Sequence, residues 1–180
     1  MHPRIAELVT YLEQSRAALL ASIDGRASDE LERRPEPDAW SALDILDHLS
    51  LVERSVARLL ARSVERARQL GPERSTDSVL HSLDALPVRT ASRPVQGPPA
   101  TRPRDGLTLS DTVAALGVTR AQLLEAVAAL DGLALAGIRF PHPLLGELDL
   151  YQWILFVGQH EERHTKQIRR ALRPAPATPS

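Results

Sequence analysis

Three histidines are spaced so that they can act on one ion. Towards its C-terminal end the chain reads Trp153-Ile-Leu-Phe-Val-Gly-Gln-His160-Glu-Glu-Arg-His164-Thr-Lys-Gln-Ile168. At about 100° per residue, a helix here places His160 and His164 about 20° to either side of Trp153. Both imidazoles then lie in the middle of an apolar stripe, one turn apart. At that spacing two ring nitrogens reach a single divalent ion. His48 falls in the stripe of Ile45, Val52 and Leu59 on an earlier segment, while Asp47, Glu53 and Arg54 are expected to face elsewhere. In a bundle, side chains from facing helices converge into core metal sites. A lone histidine on an apolar stripe is more often a hydrogen-bonded core residue. Three on two stripes favour ligation, because each unpaired buried imidazole is costly. Metal ligation is therefore the chemistry expected of His48, His160 and His164, and no residue is assigned a catalytic role.

The string His160-Glu161-Glu-Arg-His164 also spells the zinc-protease motif. That reading needs a third ligand downstream, yet no His, Asp or Glu follows His164, and Arg170 stands where the extended motif requires histidine. Glu161 lies about 100° around the helix from His160. It is expected to face solvent rather than serve as a base.

The segments that must carry these residues repeat apolar side chains at helical spacing. Four helices are expected, at about 3–24, 41–70, 108–130 and 149–172. Pro3 suits a first turn and Gly25 a stop. Ser41 with Asp44, and Thr108 with Asp111, have the spacing of capping boxes, with Trp40 placed as a staple. Residues 28–38 read as a connector with a short turn of helix, and residues 72–107 leave room for an extra short helix around Ser78–Leu83. Pro87 to Pro103 holds five prolines and Gly97, which excludes a regular helix or central strand. Residues 84–107 are read as a surface excursion whose functional role would be a lid. Residues 134–146 read as irregular, and no substantial sheet is expected. Four such amphipathic helices bury their stripes best against one another. The fold class is all-α, a four-helix bundle with a long Pro-rich loop between helices two and three. One domain is expected over 1–174, with a disordered tail at 175–180.

Composition narrows the function classes. A net charge of −1 on 180 residues leaves no electrostatic footprint for nucleic acid or an anionic membrane. The absence of cysteine excludes disulfides, thiolate metal ligands and a cysteine nucleophile, though not a thiol that arrives as substrate. The charged N-terminus does not read as a signal peptide, and no 18 apolar residues run together. A cytoplasmic location is expected.

Two stretches resemble a known family. Trp40-Ser-Ala-Leu-Asp-Ile-Leu-Asp-His48-Leu-Ser-Leu-Val-Glu53 is similar to the Trp-then-His opening of the second helix in DinB-like proteins. His142-Pro-Leu-Leu-Gly146-Glu-Leu-Asp-Leu-Tyr-Gln-Trp153, continuing to Ile168, resembles that superfamily's final loop and helix. The resemblance implies a DinB/YfiT-like bundle with a three-histidine metal site, His48, His160 and His164 matching the ligand positions one for one. It implies a divalent transition metal, with zinc or nickel expected. Its relatives include thiol-dependent S-transferases, a thiol-requiring maleylpyruvate isomerase and stress-inducible proteins.

Three imidazoles leave a coordination position open for water or a substrate thiol. The expected function is a divalent-metal-dependent enzyme with S-transferase- or hydrolase-like chemistry on a small molecule, the thiol being of low molecular weight. The alternative is a non-catalytic stress-response bundle that binds metal or a ligand, or forms a homodimer through a spare face at Leu19, Leu60 and Leu70. Asp44 is expected to cap its helix rather than orient His48. His142 either lines the site's mouth or packs as a rigid loop residue. Arg163, Lys166, Arg169, Arg170 and Arg173 read as a solvated basic face, and His2 and His81 as surface residues.

Overall fold

The structure, a computed structural model, describes residues 1–84 and 99–172. The expected tail at 175–180 and the middle of the Pro-rich excursion, 85–98, lie outside the described residues. Four long helices form the bundle: α1 (Pro3–Ile23), α3 (Ala42–Leu70), α4 (Leu109–Ala128) and α5 (Leu150–Ala171), with a short α2 (Ser28–Glu32) in the first connection. Three of them start on a capping box. The Ser41–Asp44, Thr108–Asp111 and Asp149–Gln152 pairs each exchange side-chain and backbone hydrogen bonds, satisfying amides that have no partner within the helix. Gly71, at φ 84°, turns the chain out of α3.

Helix α5 packs against both α1 and α3, and α3 packs along α4. The apolar core falls into two clusters. One is built on Ile5, Leu8, Leu12, Val56, Leu60, Leu123, Val127 and Ile154. The other is built on Leu19, Ile23, Leu31, Ile45, Leu46, Leu49, Leu116 and Ile168. Each fully buried leucine or isoleucine contributes about 1.5–3 kcal/mol over exposure.

Several expectations change. Residues 134–146 are not wholly irregular: β1 (Arg139–His142) and β2 (Gly146–Asp149) form an antiparallel hairpin before α5. Gly146, at φ 79°, supplies the positive backbone angle at its turn. The region around Ser78–Leu83 holds turns, not a helix, and among the described residues of the Pro-rich stretch Pro99–Thr101 forms a 3-10 turn. Leu19 and Leu60 are core residues, leaving only Leu70 exposed of the three assigned to a spare face. Asp47 and Glu53 do not face solvent. They are 1% and 2% exposed, because each is fully paired inside the protein.

Candidate metal centre

The capping box at Ser41 fixes the start of α3, and from there His48 points into the bundle at 6% exposure. Helix α5 presents His160 and His164 to the same point. Their ligand atoms and that of His48 all lie within 4.8 Å of one another. The approach is through Nε2: His160 Nε2 stands 3.4 Å from that of His48 and 3.2 Å from that of His164.

The partners of the other ring nitrogens decide what these Nε2 atoms are. His48 Nδ1 lies 2.6 Å from the carbonyl of Thr101. A carbonyl only accepts, so Nδ1 carries the proton and the neutral ring turns a bare lone pair inward. His164 Nδ1 lies 2.9 Å from Gln167 Oε1, which fixes the same tautomer. A proton on His160 Nε2 could serve only one of those two lone pairs. A cation serves all three, so the residues fit a metal ion.

Protonation is opposed here. Burial pushes the imidazolium form of all three rings down. His164 falls to about 4, with the neighbouring His48 adding to the effect, and His160 lies well below the ordinary range. These rings stay neutral, as ligands must be.

Aromatic rings wall the triad. Trp40 lies 4.8 Å from His48 and 6.5 Å from His164, centroid to centroid. Phe156 lies 5.1 Å from His160. On the outer side of Phe156, at 4.5 Å, sits His142, which also packs on Trp153. Its Nδ1 accepts from the amides of Leu144 and Leu145. His142, the last residue of β1, is thus a packed hairpin residue one ring removed from the triad.

The sequence matches the DinB superfamily over residues 11–168. This chain belongs to the DinB superfamily. It is 26% identical over 165 residues to the uncharacterized protein YuaE of Bacillus subtilis (strain 168), a match spanning 89% of this chain and 94% of that protein. Among solved structures it is similar to TT2238, a four-helix bundle protein, with 28% identity and a TM-score of 0.62. That match covers 92% of this chain and 98% of the other.

Around this DinB-superfamily triad, the Pro-rich stretch supplies a partner that residue spacing did not reveal. Asp47 accepts from the backbone amide of Arg104 at 2.8 Å and from its guanidinium at 2.7 Å. Adjacent residues of α3 therefore clasp one stretch of chain, His48 at the Thr101 carbonyl and Asp47 at Arg104. Asp44 caps α3 as expected, and it pairs with Arg34 at 3.0 Å. His81 is exposed and pairs with Asp84, while the backbone amide of His2 bonds Asp131.

Glu161 overturns its expectation: it is 2% exposed. Its carboxylate is taken by Ser15, Arg16 and Arg120. All three donors come from α1 and α4 and none from the triad, so this carboxylate is committed to the bundle interior, and with it goes the protease reading of the H-E-x-x-H string. A separate groove of about 850 Å3 runs between α3 and α4, rimmed by Arg54, Arg58, Arg104 and Gln122. None of the three histidines lines it.

Proposed function

We propose that His48, His160 and His164 hold a divalent transition metal, zinc or nickel, through Nε2, and that the protein is a metal-dependent enzyme acting on a small molecule. The observation that carries this reading is the inward turn of two fixed lone pairs, on His48 and His164, onto His160 Nε2. When bound, an ion with three imidazole ligands supplies Lewis acidity at its remaining position, to a water in hydrolase-like chemistry or to a thiol in S-transfer. The protein's own residues hold the ligands neutral and oriented. Thr101 and Gln167 fix the tautomers of His48 and His164, and Trp40 and Phe156 exclude solvent from the ring faces. The chain has no cysteine, so in an S-transfer the thiol is a second, low-molecular-weight substrate.

One observation supports a second reading, a non-catalytic stress-response bundle that binds metal. The carboxylate nearest the triad in sequence, Glu161, is consumed by arginines, and the rings beside the histidines are apolar. Elemental analysis of protein purified without an affinity tag tests the shared premise. One equivalent of zinc or nickel is the expected result. A metal-free protein that takes up neither added ion contradicts both readings. Release of metal-dependent activity towards thiol or ester substrates would then separate enzyme from binding module.

A further inference from the structure

Between the two apolar clusters lies a closed ring of four charges, one from each long helix. Arg16 of α1 donates through Nε to Glu161 at 2.6 Å and through Nη2 to Glu53 at 2.8 Å. Arg120 of α4 does the converse, with Nε on Glu53 at 2.6 Å and Nη2 on Glu161 at 3.0 Å. The third nitrogen of each arginine crosses to the other's helix: Arg16 Nη1 to the carbonyl of Leu116, and Arg120 Nη1 to that of Leu12. The residue before each arginine adds a hydroxyl. Ser15 donates to Glu161 at 2.6 Å and Thr119 to Glu53 at 2.7 Å. The sequence pattern is the same on both helices, Leu12-x-x-Ser15-Arg16 and Leu116-x-x-Thr119-Arg120. The ring thus has a local two-fold relationship that pairs α1 with α4 and α3 with α5.

Both carboxylates stand on the helices that carry the histidines. Glu161 directly follows His160, and Glu53 lies about 1.4 turns beyond His48. The two carboxylates share both guanidiniums, so a slide or rotation of α3 against α5 would break bonds at both. The fork of a guanidinium tolerates little change in direction. Apolar contacts in the flanking clusters are non-directional and do not fix such a register.

We propose that Arg16, Glu53, Arg120 and Glu161 are positioning residues for the histidine triad: the ring sets the register of α3 against α5 and so brings His48 to His160 and His164. This inference rests on the metal reading above. It gives the buried charges a task besides stability, for which a buried ion pair is a poor device.

The test uses cobalt(II) alone, titrated into the full chain, reading affinity and the visible d–d spectrum. Wild-type protein that binds no cobalt(II), zinc or nickel removes the metal reading, and the inference with it. Given wild-type binding, Glu161→Gln is expected to lose about tenfold or more in affinity, the range seen when a ligand's supporting partner is removed, and to change the spectrum. Ser15→Ala keeps all four charges and the fold, and is expected to show a smaller loss in the same direction. Leu8→Ala, in the apolar cluster beyond the ring, controls for stability and is expected to keep wild-type affinity and spectrum at a lowered melting temperature. Wild-type affinity and spectrum in Glu161→Gln overturn the proposal, as they do in Ser15→Ala if Glu161→Gln does not fold. A loss in Leu8→Ala equal to that in Glu161→Gln overturns it too.

Discussion

Arg16 and Arg120 each bond both Glu53 and Glu161, and each turns its third guanidinium nitrogen to a backbone carbonyl of the other's helix. Every charge in the centre of this bundle is therefore paired twice, within a layer that is otherwise apolar on both sides. That arrangement satisfies the buried groups only while all four are present.

Loss of one member should be severe. Glu53→Ala leaves two buried guanidiniums short of an acceptor and is expected to cost about 3–5 kcal/mol in urea unfolding. The double variant Glu53→Leu with Arg120→Leu keeps Arg16 paired with Glu161. Its loss should fall well below the sum of the two single leucine variants. Additive losses would show that the four do not act as a unit.

The histidines give a pH signature to the metal-free protein. Their folded values lie below the ordinary 6.5, with His164 at about 4. The unfolded chain then binds more protons below about 6.5, so stability falls as pH drops from there and levels only below the folded values. His164 alone accounts for about 3 kcal/mol across that window. Urea melts at pH 7 and pH 5 should differ in this direction, and His164→Ala should shrink the difference. A pH-independent midpoint would contradict it.

Much of this is legible in the sequence. The helical stripes and two of the capping boxes stand in the sequence, because both are local: periodicity and a spacing of three residues. His48, His160 and His164 were legible because they interrupt apolar faces. Glu53 and Glu161 were misassigned because helical angles alone treat a carboxylate as a solvent marker, and burial here depends on arginines contributed by α1 and α4. The repeated Leu-x-x-Ser/Thr-Arg pattern was the available signal. Thr101 acts through its carbonyl, which no residue type announces, and the β1–β2 hairpin is too short to show alternation.

The clasp of Asp47 on Arg104 should matter to the metal. Asp47→Asn weakens the hold on the stretch bearing Thr101, and is expected to lower zinc affinity about tenfold while leaving the helix content by circular dichroism unchanged. An unchanged affinity would mean that Thr101 is held without the clasp.

Trp40 offers an optical reading. Its ring lies 4.8 Å from that of His48, so nickel(II) bound at the triad should quench its emission. Trp40→Phe should remove most of the nickel-dependent change, leaving the Trp153 signal. Quenching that persists unaltered in Trp40→Phe would place the ion elsewhere.

The most direct measurement is thermal unfolding with and without a chelator, in zinc-loaded wild type and in His160→Ala. A ligand that binds only the folded state at about 100 times Kd adds about 2.7 kcal/mol, or about 5–10 °C for a chain of this size. The account predicts that the chelator lowers the wild-type melting temperature by that amount and leaves His160→Ala unmoved. Equal responses in the two proteins would contradict it and make the histidines core residues.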